Sequence, residues 1–328
     1  MTSVRDIDVL PARPTPPLIV AVSDCLTGAE VRYDGGHKRS SLCHAELVGL
    51  FELRGICPEV AIGLGVPRPP IRLVGDPTRP AARGADDPTL DVTDRLRAYA
   101  RAVAPSLRDV DGYIFMKNSP SCGLQRVKVY AAHGGAPRGH GRGVFAAEIV
   151  AALPDLPVEE SGRLEDPVLR ETFVTRVFAH AHWRRLLAAG LTPAKLIAFH
   201  SAYKYLLMAH GIARYRAAGK LLADLAEDFD GRARAYFSLL MAGLARPATR
   251  GGHANVLQHL QGYVKDAIDS AARQELAASI ESYRRGAAPL LAPLTLLRHH
   301  LRRASAAYAL AQVYLEPHPP AAGLRRAL

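Results

Sequence analysis

Cysteine is scarce in this 328-residue sequence: there are four, and none belongs to a Cys-x-x-Cys pair. The missing pair argues against a zinc ribbon and against a thioredoxin-type redox site, because both depend on closely spaced cysteines. Long apolar runs are lacking too. The longest, residues 17–22 and 287–297, are too short or too interrupted by proline to cross a membrane.

The start of the sequence has no targeting signal that we can read. Residues 1–13 contain acids and lack the apolar core of a signal peptide. We therefore expect a soluble, cytoplasmic protein with no membrane partner. Disulfides are not expected in such a reducing compartment, which leaves the cysteines free for metal binding or for the packed core.

Positive charge is present in excess, but only in one half. The net charge is +11, yet residues 1–160 carry 19 basic and 19 acidic residues, so the excess lies entirely in residues 161–328. A neutral half joined to a basic half indicates chemistry in the first and binding of a polyanion in the second. An alternative explanation of the excess charge is that all proteins of the source are rich in arginine. The neutral first half argues against this explanation.

The first half alternates short apolar runs with amphipathic stretches. Predicted strands cover residues 18–23, 112–116 and 127–131, and residues 55–60 are predicted to be another strand with its exit loop. Predicted helices cover residues 41–53, 92–104 and 145–153. Residues 67–70 and 76–88 are predicted to be extended or loop-like, because they are rich in Pro, Gly and Asp. The alternation predicts an α/β domain with a parallel, Rossmann-like sheet.

The second half has helical periodicity throughout. Residues 154–162 are predicted to be a linker, and helices are predicted near residues 165–188, 192–215, 217–226, 231–245, 253–268, 270–284 and 292–313. We predict a catalytic α/β domain over residues 1–163, with a mobile, Pro-rich leader at 1–16. An all-α domain is predicted to follow at 164–328.

Three cysteines lie in turns rich in Gly and Pro: Cys25, Cys57 and Cys122. Each follows or ends a predicted strand, and the carboxyl ends of parallel strands meet at one edge of a sheet. Three converging thiolates suit an iron–sulfur cluster with one iron left open. The alternative is that they are small buried hydrophobes. Cys43 lies in a helix-like stretch and is interpreted as core, or as a fourth ligand.

Six motifs in the first half occur in a recognisable order: Cys25-Leu-Thr-Gly, Val31-Arg-Tyr-Asp-Gly-Gly, Cys57-Pro-Glu, Gly65-Val-Pro-Arg-Pro-Pro, Asp91-Val-Thr and Lys117-Asn-Ser-Pro-Ser-Cys-Gly. Over residues 18–150 they resemble the DUF523 family, which includes thiouracil desulfidases. The second half resembles the DUF1722, or YbgA-like, family through three segments: Phe199-His-Ser-Ala-Tyr-Lys-Tyr, His253-Ala-Asn-Val-Leu-Gln-His and Pro293-Leu-Thr-Leu-Leu-Arg-His-His. The fusion resembles the tRNA 4-thiouridine desulfidases.

The resemblance implies a 4Fe–4S cluster held by Cys25, Cys57 and Cys122, with one open iron. Such an iron is a soft Lewis acid, and a thiocarbonyl sulfur is a soft ligand, so water could attack the polarised carbon without net redox change. That attack needs a general base. Glu59 is the candidate because the Cys57 turn holds it nearby, and burial there would raise its pKa towards neutrality. The alternative is a helix cap or an ion-pair partner.

Further polar residues flank the cysteine turns. Ser119 and Ser121 are candidates for hydrogen bonds to the pyrimidine or the cluster, with ordinary turn serines as the alternative. Lys117, Arg32 and Asp34 are candidates for holding the base or balancing the cluster's charge. For Asp34 and Arg32 the alternative is a turn stabilised by an ion pair.

RNA contacts are expected mainly in the helical half. Lys204, Arg214, Arg298 and Arg302 are candidates for phosphate contact, and interleaved tyrosines, including Tyr205 and Tyr263, suit base stacking. The Gly/Arg/His loop at residues 133–143 is interpreted as a flexible basic segment that touches RNA phosphate. Its Gly139-His-Gly-Arg-Gly run matches a dinucleotide loop only weakly.

These features predict an enzyme that converts 4-thiouridine in tRNA to uridine and releases sulfide. The thiolated tRNA is the expected partner. Two alternatives stay open: a desulfidase for free thiouracil, and a non-catalytic RNA-binding protein whose cluster is structural or absent.

Overall fold

The computed structural model describes residues 9–45, 47, 49–131 and 135–328. These residues form two compact units: residues 16–166 make up the first, and residues 167–328 together with residues 9–15 make up the second. No helix in the described ranges combines the length and the apolar character that a membrane crossing demands.

The described residues of the first unit form eight strands. In chain order β1 to β8 they are Leu18–Ser23, Phe51–Ile56, Ile71–Val74, Ala81–Gly84, Gly112–Phe115, Val127–Tyr130, Pro137–Gly141 and Val158–Glu160. Strands β2, β1, β5 and β8 form a parallel sheet in that order. Strand β1 is almost wholly apolar because helices and loops cover both of its faces.

Four helices accompany these strands: α1 Ser41–Ala45, α2 Pro58–Ala61, α3 Thr93–Val103 and α4 Val144–Ala152. Phe145 and Ile149 of α4 and Ala100 of α3 are fully buried in a core that includes Tyr113 and Phe115 of β5. A parallel sheet followed by a helical region confirms the predicted fold class.

Two local predictions within the parallel sheet were wrong. The helix expected over residues 41–53 ends at Ala45, and strand β2 begins at Phe51. Leu42, Leu47 and Leu50 are all buried, so their helix-like spacing comes from a short helix followed by a tight turn. The expected linker at residues 154–162 contains β8, the edge strand of the sheet.

A second sheet was not anticipated. Strands β4, β3, β6 and β7 form it in that order, with β3 and β6 parallel and the outer pairs antiparallel. Segment 67–70 directly precedes β3. Segment 76–88 contains β4, so this segment is not simply a loop. The expected loop at 133–143 contains β7, while its residues 133 and 134 lie outside the described chain.

The second unit is helical. Helices α5 to α12 are Pro167–Ala188, Pro193–His210, Ile212–Leu221, Phe229–Leu244, Arg250–Gln261, Ser270–Arg284, Leu291–Arg303 and Ala307–Leu310. Their core includes the stacked pair Trp183 and Phe237, with ring centroids 4.7 Å apart, and the fully buried Phe199. The single helix predicted over residues 192–215 is interrupted at Gly211.

Residues 9–15 pack against this helical unit. Leu10 contacts its core, and the backbone carbonyl of Pro11 accepts a hydrogen bond from Nε2 of His182 at 3.1 Å. The carbonyl of Arg13 accepts a bond from Arg185 at 3.3 Å. The predicted mobile leader covers residues 1–16, of which residues 1–8 lie outside the described chain.

Candidate active site lined by three thiols

The first two cysteines follow neighbouring parallel strands. Cys25 lies in a short 3-10 helix directly after β1, and its carbonyl accepts a bond from the backbone of Lys38 at 2.9 Å. Cys57 follows β2 and stands at the N-terminus of α2. Because β1 and β2 are parallel and in register from Leu18 to Ser23, both cysteines emerge at the same edge of the sheet.

The third cysteine lies in a loop that docks on α4. The backbone amides of Val144 and Ala146 donate to the carbonyls of Pro120 and Ser121, at 3.0 and 3.1 Å. Gly143 allows this approach, since a Cβ there would lie 2.5 Å from the Ser121 carbonyl oxygen. These contacts fix the loop that carries Cys122.

Buried Glu160 of β8 secures the far side of the same loop. Its Oε1 accepts from the backbone amides of Leu124 and Gln125, at 2.8 and 2.9 Å. The residue is 7% exposed, so its carboxylate serves the loop and is not available to a ligand in solvent. The strand missed from the sequence therefore helps to position Cys122.

The three thiols line one cavity of about 500 Å³ at the carboxyl edge of the parallel sheet. Seven of the sequence-predicted site residues line it: Cys25, Cys57, Cys122, Glu59, Ser119, Arg32 and Lys117. Cys43 is 2% exposed in the core and does not line the cavity. Ser121 is fully buried behind the wall, and Asp34 lies outside it as the partner of Arg32 at 3.4 Å.

Burial dominates the electrostatics of the thiols. Burial raises the pKa of Cys25 to about 11, and the neighbouring Cys57 adds to the rise. It also raises the pKa of Cys57, and it raises the pKa of Cys122 well above that of an ordinary thiol. A hydrogen bond from Ser23 opposes the rise at Cys122. Thiolates here need a nearby positive centre, which a bound metal provides.

Glu59 is held from two sides. Its Oε2 is 2.9 Å from Nε and 2.8 Å from Nη2 of Arg68, and its Oε1 accepts from the hydroxyl of Ser121 at 2.9 Å. Arg68 is 3% exposed at its side chain and also donates to the carbonyls of Gly65 and Val31, both at 2.9 Å. A fork of this kind fixes both the position and the orientation of the carboxylate.

Arg68 and Ser23 were not identified from the sequence. Arg68 lies in Gly65-Val-Pro-Arg-Pro-Pro, where the prolines marked a fixed loop but nothing indicated its partner Glu59. Ser23 ends β1, where its hydroxyl accepts from the backbone amide of Met116 at 2.9 Å and hydrogen-bonds the sulfur of Cys122. Both belong to the cavity wall.

Ser119 has a structural role in the third cysteine loop. Its hydroxyl accepts from the backbone amides of Ser121 and Cys122, at 3.3 and 3.0 Å. This is the hydrogen bonding of a turn serine.

Lys117 extends across Gly162, where an added Cβ would meet its side chain at 2.5 Å.

The donor set fits an iron–sulfur cluster. Three thiols without imidazole are typical ligands of iron–sulfur clusters, and they are poor ligands for magnesium or calcium. Within the described ranges, no three His, Cys, Asp or Glu side chains are grouped as ligands of a single metal ion. A cluster of several irons makes no such demand, since each thiolate binds a different iron.

The predicted RNA-contacting residues occupy different environments in the helical unit. Arg302 is exposed, Arg214 is half-buried, and Arg298 pairs with Glu316 at 2.7 Å. The ammonium of Lys204 lies 5.0 Å from the ring of Tyr205 and 5.1 Å from that of Tyr308.

The tyrosines divide into two groups. Tyr203 and Tyr283 are buried in the helical core. Tyr263 is 41% exposed, and its hydroxyl lies 3.2 Å from that of Tyr205. Tyr263 therefore offers an exposed aromatic ring to a nucleic acid, whereas Tyr205 is 6% exposed.

The fold and the cavity together define a class: an α/β protein with a thiol-lined site at the carboxyl edge of its sheet, continued by a helical region. Comparison with known proteins narrows the class. The family model described as 2-thiouracil desulfurase matches residues 20–161, and the one described as a protein of unknown function, DUF1722, matches residues 204–319.

Individual relatives agree with these family matches. The chain is 39% identical over 157 residues to the uncharacterized protein YbgA of Escherichia coli (strain K12), covering 47% of this chain and 93% of YbgA. It is 32% identical over 111 residues to the uncharacterized protein YbbK of Bacillus subtilis (strain 168), covering 32% of this chain and 73% of YbbK. The chain belongs to the family in which a 2-thiouracil desulfurase (DUF523) domain is fused to DUF1722.

A solved structure was also matched. It is that of the 4Fe-4S-dependent thiouracil desulfidase TudS, with a TM-score of 0.36 and 28% sequence identity. The match covers 46% of this chain and 95% of the TudS chain.

Proposed function

We propose that this protein removes sulfur from 4-thiouridine in tRNA, leaving uridine and releasing sulfide. The observation that carries the proposal is the convergence of Cys25, Cys57 and Cys122 on a cavity that also contains the clamped carboxylate of Glu59. Membership of a 2-thiouracil desulfurase family supports desulfuration as the reaction.

The three cavity cysteines are the residues that would hold a 4Fe–4S cluster. When bound, such a cluster with one open iron supplies a Lewis-acid position for a soft thiocarbonyl sulfur. Cys43 would take no part, because it is buried away from the cavity.

The reaction is a hydrolysis in its atom balance. Water adds its oxygen to the C4 carbon, the C–S bond breaks, and the sulfur leaves as hydrogen sulfide, so no external oxidant or reductant is consumed. The protein must take a proton from the attacking water, and both protons of that water finally leave with the sulfur as hydrogen sulfide.

In this proposal Glu59 accepts the proton of the attacking water. Each carboxylate oxygen has two lone pairs; Oε2 takes both contacts from Arg68, whereas Oε1 accepts one bond from Ser121 and retains capacity for a bond from water. Arg68 keeps the group from rotating, which preserves its orientation during attack. Ser121 extends the hydrogen-bonded chain behind it.

The helical unit is the proposed tRNA-binding region. The excess positive charge of the sequence lies in residues 161–328. Lys204 and the exposed Tyr263, both in contact with the buried Tyr205, form a cationic and aromatic surface of the kind that stacks on unpaired bases. A thiobase stacked inside folded tRNA must be turned out to reach a cavity, and RNA contacts offset that cost.

The test is sulfide release by anaerobically prepared full-length protein from thiolated tRNA and, separately, from free thiouracil. We expect one sulfide and one uridine per 4-thiouridine consumed, measured by sulfide assay and by nucleoside analysis of digested tRNA. Release from neither substrate would reject the desulfidase assignment.

A second candidate function is desulfuration of free thiouracil. The description of the matching family as 2-thiouracil desulfurase favours it. Sulfide from the free base but none from tRNA would establish this second function in place of the first.

A further inference from the structure

The second sheet carries a row of basic side chains on one face. Arg83 on β4 lies directly opposite Arg72 on β3, and Lys128 on β6 lies opposite His140 on β7. The parallel register of Leu73 with Val129 places Arg72 beside Lys128. Leu73 and Val129 point to the other face, where both are fully buried. The row therefore crosses all four strands on the face away from the core.

Most of this charge is not neutralised within the protein. Arg83 pairs with Asp91 at 3.0 Å. Within the described chain, no carboxylate forms an ion pair with Arg72, Lys128 or the nearby Arg126. Like charges on adjacent strands destabilise a sheet. Because the described residues supply no counter-charge to these side chains, a bound anion would relieve the repulsion.

Arg72 gives a second sign of a missing partner. Its Nε is buried and has no hydrogen-bond partner among the described residues. Its guanidinium carbon lies 5.6 Å from the centre of the Tyr130 ring, which supports the side chain without bonding to its N–H groups. A buried N–H without an acceptor is costly, and an anion at this place would relieve it.

Three of the basic residues, Arg72, Arg126 and Lys128, line a cavity of about 310 Å³. Its polar and aromatic wall is formed by Arg72, Asn118, Arg126, Lys128 and Tyr130, and among the described residues no acidic side chain contributes to it. Ile71, Asn118 and Pro120 line both this cavity and the thiol-lined one. The two cavities are thus neighbours that share one wall.

We propose that this cationic cavity binds the phosphate of the nucleotide whose base enters the thiol-lined cavity. The inference rests on the proposed function only in taking a pyrimidine base as the occupant of the thiol-lined cavity. The ligand class is a nucleoside phosphate, either free or within an RNA strand. Arginine and lysine are the side chains that bind phosphate most strongly, and a free thiobase has no group to use them.

The first experiment measures binding of uridine, UMP and the dinucleotide UpU to the full-length protein at low salt by calorimetry. UMP should bind about tenfold or more tightly than uridine, as charge-assisted hydrogen bonds to one phosphate allow. The double variant Arg126→Gln/Lys128→Gln should bring the two affinities together. Arg108→Gln, which changes an exposed arginine of the same unit outside both cavities, should leave their ratio unchanged.

Three results would overturn the proposal: no detectable UMP binding, equal affinity of the wild type for UMP and uridine, or a UMP preference that survives in the double variant. Both substituted residues are exposed, and a thermal melt matching that of Arg108→Gln verifies that the double variant is folded. A preference for UpU over UMP identifies an RNA strand as the source of the phosphate, and the reverse identifies a free nucleotide.

A second arm separates this proposal from the desulfidase assignment. The binding experiment uses no thiolated ligand, so its result stands even if no substrate releases sulfide. Where sulfide is released, the double variant should raise KM for 4-thiouridine monophosphate about tenfold and leave turnover of free thiouracil unchanged. An equal loss for both substrates would contradict a phosphate-specific role.

Discussion

Each unit contains a Glu–Arg pair with little exposure to solvent, and the two pairs have different roles. In the α/β unit, Glu59 and Arg68 lie 2.8 Å apart, and both line the thiol cavity. In the helical unit, Glu171 and Arg325 lie 3.1 Å apart with side chains that are each 6% exposed. The pairing is the same, so access to a cavity with reactive neighbours is what distinguishes a candidate catalytic carboxylate from a structural one.

The surroundings of Glu171 support a structural role. Burial raises its pKa, but the polar contact with His318 at 3.5 Å and the charge of Arg325 outweigh burial and hold the pKa well below its ordinary range. Arg325 also donates to the carbonyl of Tyr314 at 2.6 Å. The pair thereby ties helix α5 to the segment that carries Tyr314 and Arg325 within one core.

The largest effect is expected from removing the cavity cysteines, a feature of the α/β unit that the helical unit lacks. Alanine in place of Cys25, Cys57 or Cys122 should reduce iron content and sulfide release to background, because each thiolate would hold one iron of the cluster. The measurement is iron and sulfide analysis of anaerobically purified variants. Cys43→Ala is the matched control and should retain both; a loss equal to that of the other three would put Cys43 among the ligands.

Applying one substitution to both glutamates sharpens the comparison. Glu59→Gln should keep the iron content and lower turnover about 10²–10⁴-fold, the range for loss of a general acid or base. Glu171→Gln should leave Arg325 as a buried unpaired charge and lower the free energy of unfolding by about 3–5 kcal/mol.

Chemical denaturation and turnover, measured on both variants, separate the two roles. The comparison fails if Glu59→Gln turns over at the wild-type rate, or if Glu171→Gln is as stable as the wild type. Loss of iron in Glu59→Gln would assign that residue to assembly of the site.

Acid should weaken the helical unit through its buried histidines. Burial lowers the pKa of His182 to about 4, against about 6.5 for an exposed histidine, although its bond to the Pro11 carbonyl opposes the shift. The stability contributed by neutral His182 is therefore complete above about pH 6.5. It should fall by up to about 3 kcal/mol as the pH drops from 6.5 to 4.

Denaturant titrations at several pH values measure this loss. Replacing His182 with Gln should lower stability at pH 7 and remove about one proton from the pH dependence between 6.5 and 4. An unchanged pH dependence in this variant would show that His182 takes up its proton equally in the folded and unfolded chains, contrary to the effect expected from its burial at 1% exposure.

The smallest expected effect concerns the aromatic surface of the helical unit. Tyr263→Ala should weaken tRNA binding by about 1–3 kcal/mol, the value of one base stacked on one aromatic ring. Lys204→Gln should act in the same direction, while Lys220→Gln, an exposed lysine on α7, serves as the control. Turnover of free thiouracil should stay unchanged in all three, and a parallel loss there would remove the RNA-specific interpretation.

Local patterns in the sequence were sufficient for strands β1 and β5 of the parallel sheet and for most helices. The apolar run of β1 and the turns after it follow from composition, and so does the placement of Cys25 and Cys57 at one sheet edge. Strand β8 was missed because a three-residue strand between Pro154 and Gly162 has too little periodicity to differ from a linker.

Long-range pairings were the part that the sequence did not reveal. Arg68 and Glu59 are nine residues apart on different turns, and nothing local links them. The cationic row is another example: Arg72 and Lys128 come together only through the register of β3 and β6. The zero net charge of residues 1–160 concealed this row, since an average over a region says nothing about where charges meet.

The most direct test of the central claim joins metal content to chemistry in one sample. Anaerobically purified full-length protein is analysed for iron and then incubated with thiolated tRNA while sulfide and uridine are counted. We predict about four irons per chain and one sulfide per 4-thiouridine lost. Equal turnover by metal-free protein would contradict the account, as would iron-loaded protein that releases no sulfide from tRNA or from free thiouracil.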